Sequence, residues 1–161
     1  MKVNIHLLPC IFLNHFDTVF PMNQIDTTDN KRDEIAANLV LVFIYRIPKK
    51  NHDSLIQINS RVIDTFKKYG VLKFEVFQLG STNDMMGFTN IAKTISAQPE
   101  DEEVWMEMQS YRDHNHFQEV GVKMMADDAI KEDGQQFFNL ITPGSRCSFG
   151  EFNRIKDVGF L

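Results

Sequence analysis

Residues 51–80 change from helical to strand periodicity at a single glycine, and few architectures accommodate that change in so short a segment. Apolar side chains recur every three or four residues before the glycine, which predicts a helix with one buried stripe: Leu55, Ile58, Val62, Phe66 and Tyr69. Asn51 or Asp53 is expected to cap the start of this helix, and Gly70 stands where a left-handed terminator belongs. Residues 71–79 then alternate as a strand does, with apolar side chains on one face and charged ones on the other: Leu72, Phe74 and Val76 against Lys73 and Glu75.

Further elements are predicted on both sides of this segment. Residues 38–47 are almost all apolar, and many are β-branched or aromatic, which is typical of a strand covered on both faces. Residues 88–95 alternate weakly and are assigned an additional hairpin strand, whereas residues 104–111 alternate clearly. A second helix is expected to begin near Asp113, followed by a shorter helical piece and by a closing strand at residues 147–155.

This order of elements predicts an α+β fold. Without the additional hairpin strand it is the βαββαβ pattern of the ferredoxin-like fold. Two helices on one face of an antiparallel sheet leave the other face uncovered, and a contiguous apolar face usually marks a partner surface. We therefore expect a homodimer formed through the sheet face.

Composition supports one such domain. The chain has 161 residues and 43% hydrophobic content, enough for one core and too little for two. We assign residues 38–156 to the domain, residues 1–37 to an amino-terminal extension and linker, and residues 157–161 to a tail. Polar residues interrupt the apolar start of the chain, so neither a signal peptide nor a membrane span is predicted, and Met22 is an alternative start.

Charge and cysteine content limit the partners and the compartment. A net charge of −5, with dispersed basic residues, argues against nucleic acid as a partner. Cys10 and Cys147 lack the spacing of a metal knuckle or redox pair, so reduced thiols and a cytoplasmic location are expected. Neither a metal nor a cofactor is predicted. The acidic run at residues 100–103 is expected to be solvated.

Two carboxylates form the first candidate site. Glu75 and Glu107 lie on neighbouring predicted strands and are expected to approach each other, which would raise the pKa of one and suit it to general acid or base catalysis. The alternative is that both lie on a polar sheet face, or pair with Lys73 or Arg146. The sequence leaves both interpretations open.

A histidine pair forms the second candidate site. His114 and His116 follow Asp113 at a strand-to-helix corner, and imidazoles carry protons near neutral pH. Residues two apart diverge on a helix, and no third ligand has zinc-site spacing, which favours a solvated helix start capped by Asp113. His114 stays a candidate proton acceptor beside Glu75. Six polar and aromatic side chains are candidates to line a ligand pocket: Tyr45, Phe77, Trp105, Glu107, Tyr111 and Arg146. Aromatic residues at strand spacing more often belong to the core or to a dimer interface, and this alternative applies to the four aromatic ones.

Several short motifs together resemble the YbaA-like proteins, a domain of unknown function in the dimeric α+β barrel superfamily. The resemblance spans about residues 38–155 and rests on the following segments: residues 41–48; residues 66–72 with Glu75; the acidic connection before Val104 and Trp105; residues 123–125 with Asp127 and Asp128; and Arg146 followed by residues 149–152. The chain departs from the family at Val76 and Phe77, where an aromatic residue and a cysteine are usual. It departs again at residues 140–142, in place of a phenylalanine–aspartate pair.

This resemblance implies a dimeric α+β barrel and supplies no reaction. Relatives in the wider superfamily include cofactor-free monooxygenases, haem-degrading enzymes and lactone isomerases, which is an analogy at the level of the fold. Our leading hypothesis is a small-molecule-binding or regulatory protein. The alternatives are a cofactor-independent monooxygenase or isomerase acting on a small aromatic or quinol-like substrate, and a structural homodimerisation module. Whether the protein is an enzyme stays open at this point.

Overall fold

The structure is a computed structural model that describes residues 37–143 and 148–155. Its elements in chain order are β1 (Leu39–Pro48), α1 (His52–Tyr69), β2 (Lys73–Gln78), α2 (Ile91–Thr94), β3 (Glu102–Tyr111), α3 (His114–Met125), α4 (Asp128–Leu140) and β4 (Ser148–Asn153). A short 3-10 helix, Lys49–Asn51, joins β1 to α1. The strands form one sheet in the order β2–β3–β1–β4, and every pairing is antiparallel. This is the ferredoxin-like topology, which confirms the predicted α+β fold class.

The central strand β1 divides the sheet into two unlike faces. Its side chains are alternately buried and half-buried along all ten residues. The expectation that both faces are covered was therefore wrong, because only one of them lies under helices. We call the other one the open face; at its centre lie Val42 and Ile44 of β1 and Met106 and Met108 of β3.

Aromatic contacts hold the helices on the covered face. Phe66 of α1 packs edge-on against Phe74 of β2, with ring centroids 5.0 Å apart. Phe137 of α4 packs edge-on against Tyr45 of β1, also at 5.0 Å. His116 of α3 makes the third such contact, with Tyr111 of β3. Helices α1, α3 and α4 therefore all pack on this face. Such edge-to-face pairs add to the free energy gained by burial.

The two ends of α1 are built differently from each other. At its end, Gly70 has φ +102°, and its N–H bonds the carbonyls of Phe66 and Lys67, as predicted for a left-handed terminator. At its start, the side chain of Asn51 makes no capping bond. Its Nδ2 instead donates to the carbonyl of Leu140 at 2.7 Å, so Asn51 satisfies the end of α4.

The additional hairpin strand at residues 88–95 is a wrong prediction. Phe88 forms an isolated bridge with Met85 across a tight turn in which Met86 and Gly87 both have positive φ. Asn90 then starts α2, because its side chain accepts a hydrogen bond from the N–H of Ala92. Ala92 is the buried residue of this short helix, so the weak alternation did not reflect burial on one face of a strand.

Some sequence predictions concern residues outside the described ranges. They are the extension at residues 1–37 apart from Ala37, the two cysteines, Arg146 and the tail at residues 157–161. Within the described ranges, no helix is both long enough and apolar enough to cross a membrane.

Candidate functional site

A cleft of about 520 Å³ opens between α1 and the neighbouring strands β2 and β3. We call it the α1–β2 cleft. Five of its side chains are apolar and four are polar: Ile56, Ile63, Phe74, Val76 and Trp105, with His52, Asn59, Ser60 and Gln78. Mostly apolar walls with a few polar groups are the usual composition of a small-molecule site.

The helical and strand periods explain how the cleft forms. On α1, residues spaced three or four apart share one face, and this places His52, Ile56, Asn59 and Ile63 along the cleft. On β2, Phe74, Val76 and Gln78 share the covered face, since side chains alternate along a strand. Ile56 and Ile63 stay 44% and 43% exposed, because the cleft leaves their side of α1 unfilled.

A hydrogen-bonded cluster lies at the polar end of the cleft. Nδ1 of His52 lies 2.9 Å from Oε2 of Glu103, and Nε1 of Trp105 donates to the same oxygen at 2.8 Å. The rings of His52 and Trp105 meet edge-on, with centroids 5.4 Å apart. The hydrogen bond to Glu103 raises the pKa of His52 above its ordinary value.

Asn59 adds a polar group to the middle of the cleft wall. Within residues 37–143 and 148–155, its buried Nδ2 has no hydrogen-bond partner. A buried donor left unsatisfied costs free energy, so a side-chain rearrangement that gave this amide a partner in the cleft would be favourable.

A buried chain of hydrogen bonds runs along β3 beside the cleft. Tyr111 donates its hydroxyl to Oε1 of Gln109, and Gln109 donates Nε2 to Oε1 of Glu107, both at 2.6 Å. Burial raises the pKa of Glu107 to about 7, although the bond from Gln109 acts in the opposite direction. Burial also raises the pKa of Tyr111. Glu107 pairs across the sheet with Val76, whose side chain lines the cleft.

The register separates the two carboxylates that were expected to meet. Glu75 pairs with Met108 on the open face, whereas Glu107 lies on the covered face. A one-residue offset is enough for this, because neighbouring strand residues point to opposite faces. Glu75 forms an ion pair with Lys73 at 2.8 Å, one of the partners considered from the sequence.

The other candidate residues are scattered. His114 begins α3, and its Nδ1 lies 3.3 Å from Oε1 of Glu151 on β4. His116 is buried, accepts a hydrogen bond from the N–H of Arg112 at Nδ1, and has a pKa lowered by burial and by Arg112. Neither residue lines the cleft.

Of the six side chains expected to line a pocket, the structure brings Trp105 to the cleft. Tyr45 and Tyr111 are core residues, 1% and 0% exposed. Phe77 is 42% exposed and pairs with Met106 on the open face. Glu107 is enclosed behind the cleft wall, and Arg146 lies outside the described residues.

Sequence reasoning missed the acidic residues at the start of β3. The run at residues 100–103 was expected to be solvated, but the side chains of Glu102 and Glu103 are only 9% and 14% exposed. Glu102 binds Arg46 at 3.1 Å and accepts the N–H of Gln98, which lowers its pKa against the effect of burial. The sequence did hold one signal that Glu103 belongs to the strand, since it directly precedes the alternating segment that carries Trp105.

The fold and the cleft define a ferredoxin-like α+β protein with a helix–sheet cleft. Residues 38–140 match the family described as "Protein of unknown function (DUF1428)". The match covers more than half of the chain, so the protein belongs to this family.

Solved structures of similar shape are distant in sequence. A conserved protein from Methanosarcina mazei Go1 has 7% identity and a TM-score of 0.49, over 76% of this chain and 97% of that one. A protein from an uncultured marine organism, described as a dimeric ferredoxin-like protein, has 8% identity and a TM-score of 0.48, over 81% of this chain and 98% of that one. Among curated proteins, none matches this sequence.

Proposed function

We propose that this protein binds a small, largely apolar molecule in the α1–β2 cleft. The observation that carries the proposal is the cleft itself, whose volume of about 520 Å³ lies within the range of ligand sites. Phe74 and Trp105 offer aromatic surface, while Asn59 and Gln78 offer hydrogen bonds to a polar group. A planar aromatic alcohol matches this combination of walls.

Calorimetric titration with 1-naphthol and related aromatic alcohols tests the proposal. Ser60 lines the cleft and is exposed, so the substitution Ser60→Phe should fill the cleft and weaken binding by about tenfold or more. Ser54 is exposed on the same helix and does not line the cleft, so Ser54→Phe is the matched control and should leave the affinity unchanged. Absence of binding by these alcohols, or an equal effect of the two variants, would contradict the proposal.

We further propose that the domain works as a homodimer joined through the open face, as the resemblance to the YbaA-like proteins implies. The centre of this face carries valine, isoleucine and methionine side chains. Its charged residues on β2, Lys73 and Glu75, already neutralise each other. A face of this kind is complementary to itself about a two-fold axis.

A second candidate function is proton-transfer catalysis without a cofactor, on a small aromatic or quinol-like substrate. Glu107 favours it, because this carboxyl has a pKa raised by burial to about 7 and pairs across the sheet with Val76, whose side chain lines the cleft. Oxygen uptake or isomerisation that occurs with a quinol and disappears in Glu107→Gln would support this candidate. Binding without turnover would favour the binding protein.

A further inference from the structure

We propose that His52 and Glu103 form a general-base dyad at the polar end of the α1–β2 cleft, which takes the proton from an acidic hydroxyl of the bound molecule. The inference rests on the proposed binding function and specifies its ligand as a phenol, hydroquinone or enol. His52 touches the ligand, and Glu103 is a positioning residue that acts through His52.

The hydrogen bonds define which nitrogen accepts the proton. Oε2 of Glu103 accepts from Nε1 of Trp105 at 2.8 Å and faces Nδ1 of His52 at 2.9 Å. A carboxylate only accepts hydrogen bonds, so Nδ1 carries the proton of the neutral imidazole and Nε2 carries the lone pair. No group of the described ranges forms a hydrogen bond with Nε2.

Packing holds the imidazole in this orientation. Trp105 meets the His52 ring edge-on and is itself only 4% exposed, so one rigid residue contacts both members of the dyad. Both His52 and Trp105 line the cleft, and Gln78, the cross-strand partner of Trp105, lines it beside them. A base fixed by a second group and placed at a ligand site has the arrangement of known acid–base catalysts.

The charges around His52 favour its protonated form. Glu103 faces it from β3, and Asp53 follows it on α1. Lys49, in the preceding 3-10 helix, lines a smaller neighbouring pocket together with Glu103. Glu103 and Asp53 raise the pKa of His52 against the lowering effect of burial.

The step conserves atoms and electrons. The O–H bond of the ligand breaks, its electron pair stays on the ligand oxygen, and the proton bonds to Nε2. Nδ1 keeps its own proton and its bond to Glu103. The product is an oxyanion beside an imidazolium, and the charge of that imidazolium is balanced by Glu103.

4-Nitrophenol tests the dyad, because its ionised form absorbs visible light. At about pH 7, where neutral imidazole and undissociated phenol are both present, binding to the wild-type protein should increase the phenolate absorbance. His52→Gln should abolish this increase while calorimetry still detects binding. His114→Gln, which changes an exposed histidine outside the cleft, should behave as the wild type.

Glu103→Gln supplies a second measurement that a purely structural role would not affect. Its amide oxygen can still accept from Nδ1, but the negative charge is lost, so the pKa of His52 followed by NMR should fall and the phenolate signal should shrink. Binding that depends on Ser60, with a phenolate signal unchanged in His52→Gln, would overturn the dyad and leave the binding function in place. Absence of 4-nitrophenol and naphthol binding would overturn both.

Discussion

The carboxyl group of Glu107 makes the stability of the fold depend on pH. In the folded protein its pKa is about 7, whereas the unfolded chain has the ordinary value of 4.5. Between these values the folded state holds a proton that the unfolded state has lost, so the free energy of unfolding decreases as pH rises. The stabilisation from this proton is complete below the pKa of the unfolded chain, and it is lost once the pH rises above the pKa of the folded protein.

Glu107→Gln should remove this pH dependence. Glutamine resembles the protonated acid and can still accept the bond from Gln109. As pH rises from below 5 to above 7, the free energy of unfolding of the variant should increase by about 3 kcal/mol relative to that of the wild type. Urea denaturation across this range measures it, and parallel stability curves for the two proteins would contradict the raised pKa.

At the scale of elements, polar contacts join the antiparallel helices α1 and α4 at both ends and in the middle. Asn51, before α1, bonds the last carbonyl of α4. Arg61 bonds Asp133 with two nitrogens at 3.1 and 2.8 Å. Tyr69 donates to Asp127 at 2.7 Å, which lowers the pKa of that carboxyl. These contacts fix how α4 lies along α1, and α1 forms one wall of the cleft.

Asn51→Asp distinguishes the cap expected from the sequence from the contact found in the structure. Aspartate is as good an N-cap as asparagine, so a true cap would tolerate it. Because Asn51 donates to the carbonyl of Leu140, aspartate should instead lower the free energy of unfolding by about 1–2 kcal/mol. It removes the donor and places a carboxylate oxygen against the carbonyl oxygen of Leu140. In thermal denaturation, Asn51→Ala should therefore be as stable as Asn51→Asp or more stable. A more stable Asn51→Asp would instead support the N-cap role.

Local patterns predicted the elements better than they predicted the site. The stripe ending at Gly70 and the alternation beginning at Val104 depend on neighbours a few residues away, and both were confirmed. The N-cap role of Asn90 was available in the sequence but was outweighed by a chance alternation. His52 and Glu103, which contact each other, are 51 residues apart in the chain. The separation of Glu75 from Glu107 follows from the register of the paired strands. Neither could be derived from spacing along the chain.

At the scale of the whole molecule, the open face is the surface that the proposed homodimer would bury. Its apolar side chains form one band across the sheet and end at Phe77 and Phe152, which are 42% and 56% exposed. One end of the face is already closed by the connection between β2 and β3, where Arg46 donates to the carbonyl of Ser96 at 2.8 Å and Val104 is buried. The remaining apolar area contributes about 25 cal/mol per Å² when it is removed from water, before the costs of association.

Met108→Lys should therefore convert a dimer into a monomer. Met108 is half-buried on the open face, and two lysines brought together about a two-fold axis would repel each other without a counter-charge. In one chain the long lysine side chain can still extend to water, so the fold should survive. Met125, at the end of α3 on the helical side, is 39% exposed, and Met125→Lys is the matched control.

Sedimentation at about 10 µM compares the three proteins, since a stable dimer is populated at that concentration. The wild type and Met125→Lys should sediment as dimers, and Met108→Lys as a monomer with an unchanged circular dichroism spectrum. A wild type that is monomeric throughout would show that the open face needs no second copy, and residues 1–36 would become the segment to test against it. The α1–β2 cleft lies on the opposite face of the sheet, so loss of the dimer should leave the affinity for 1-naphthol intact.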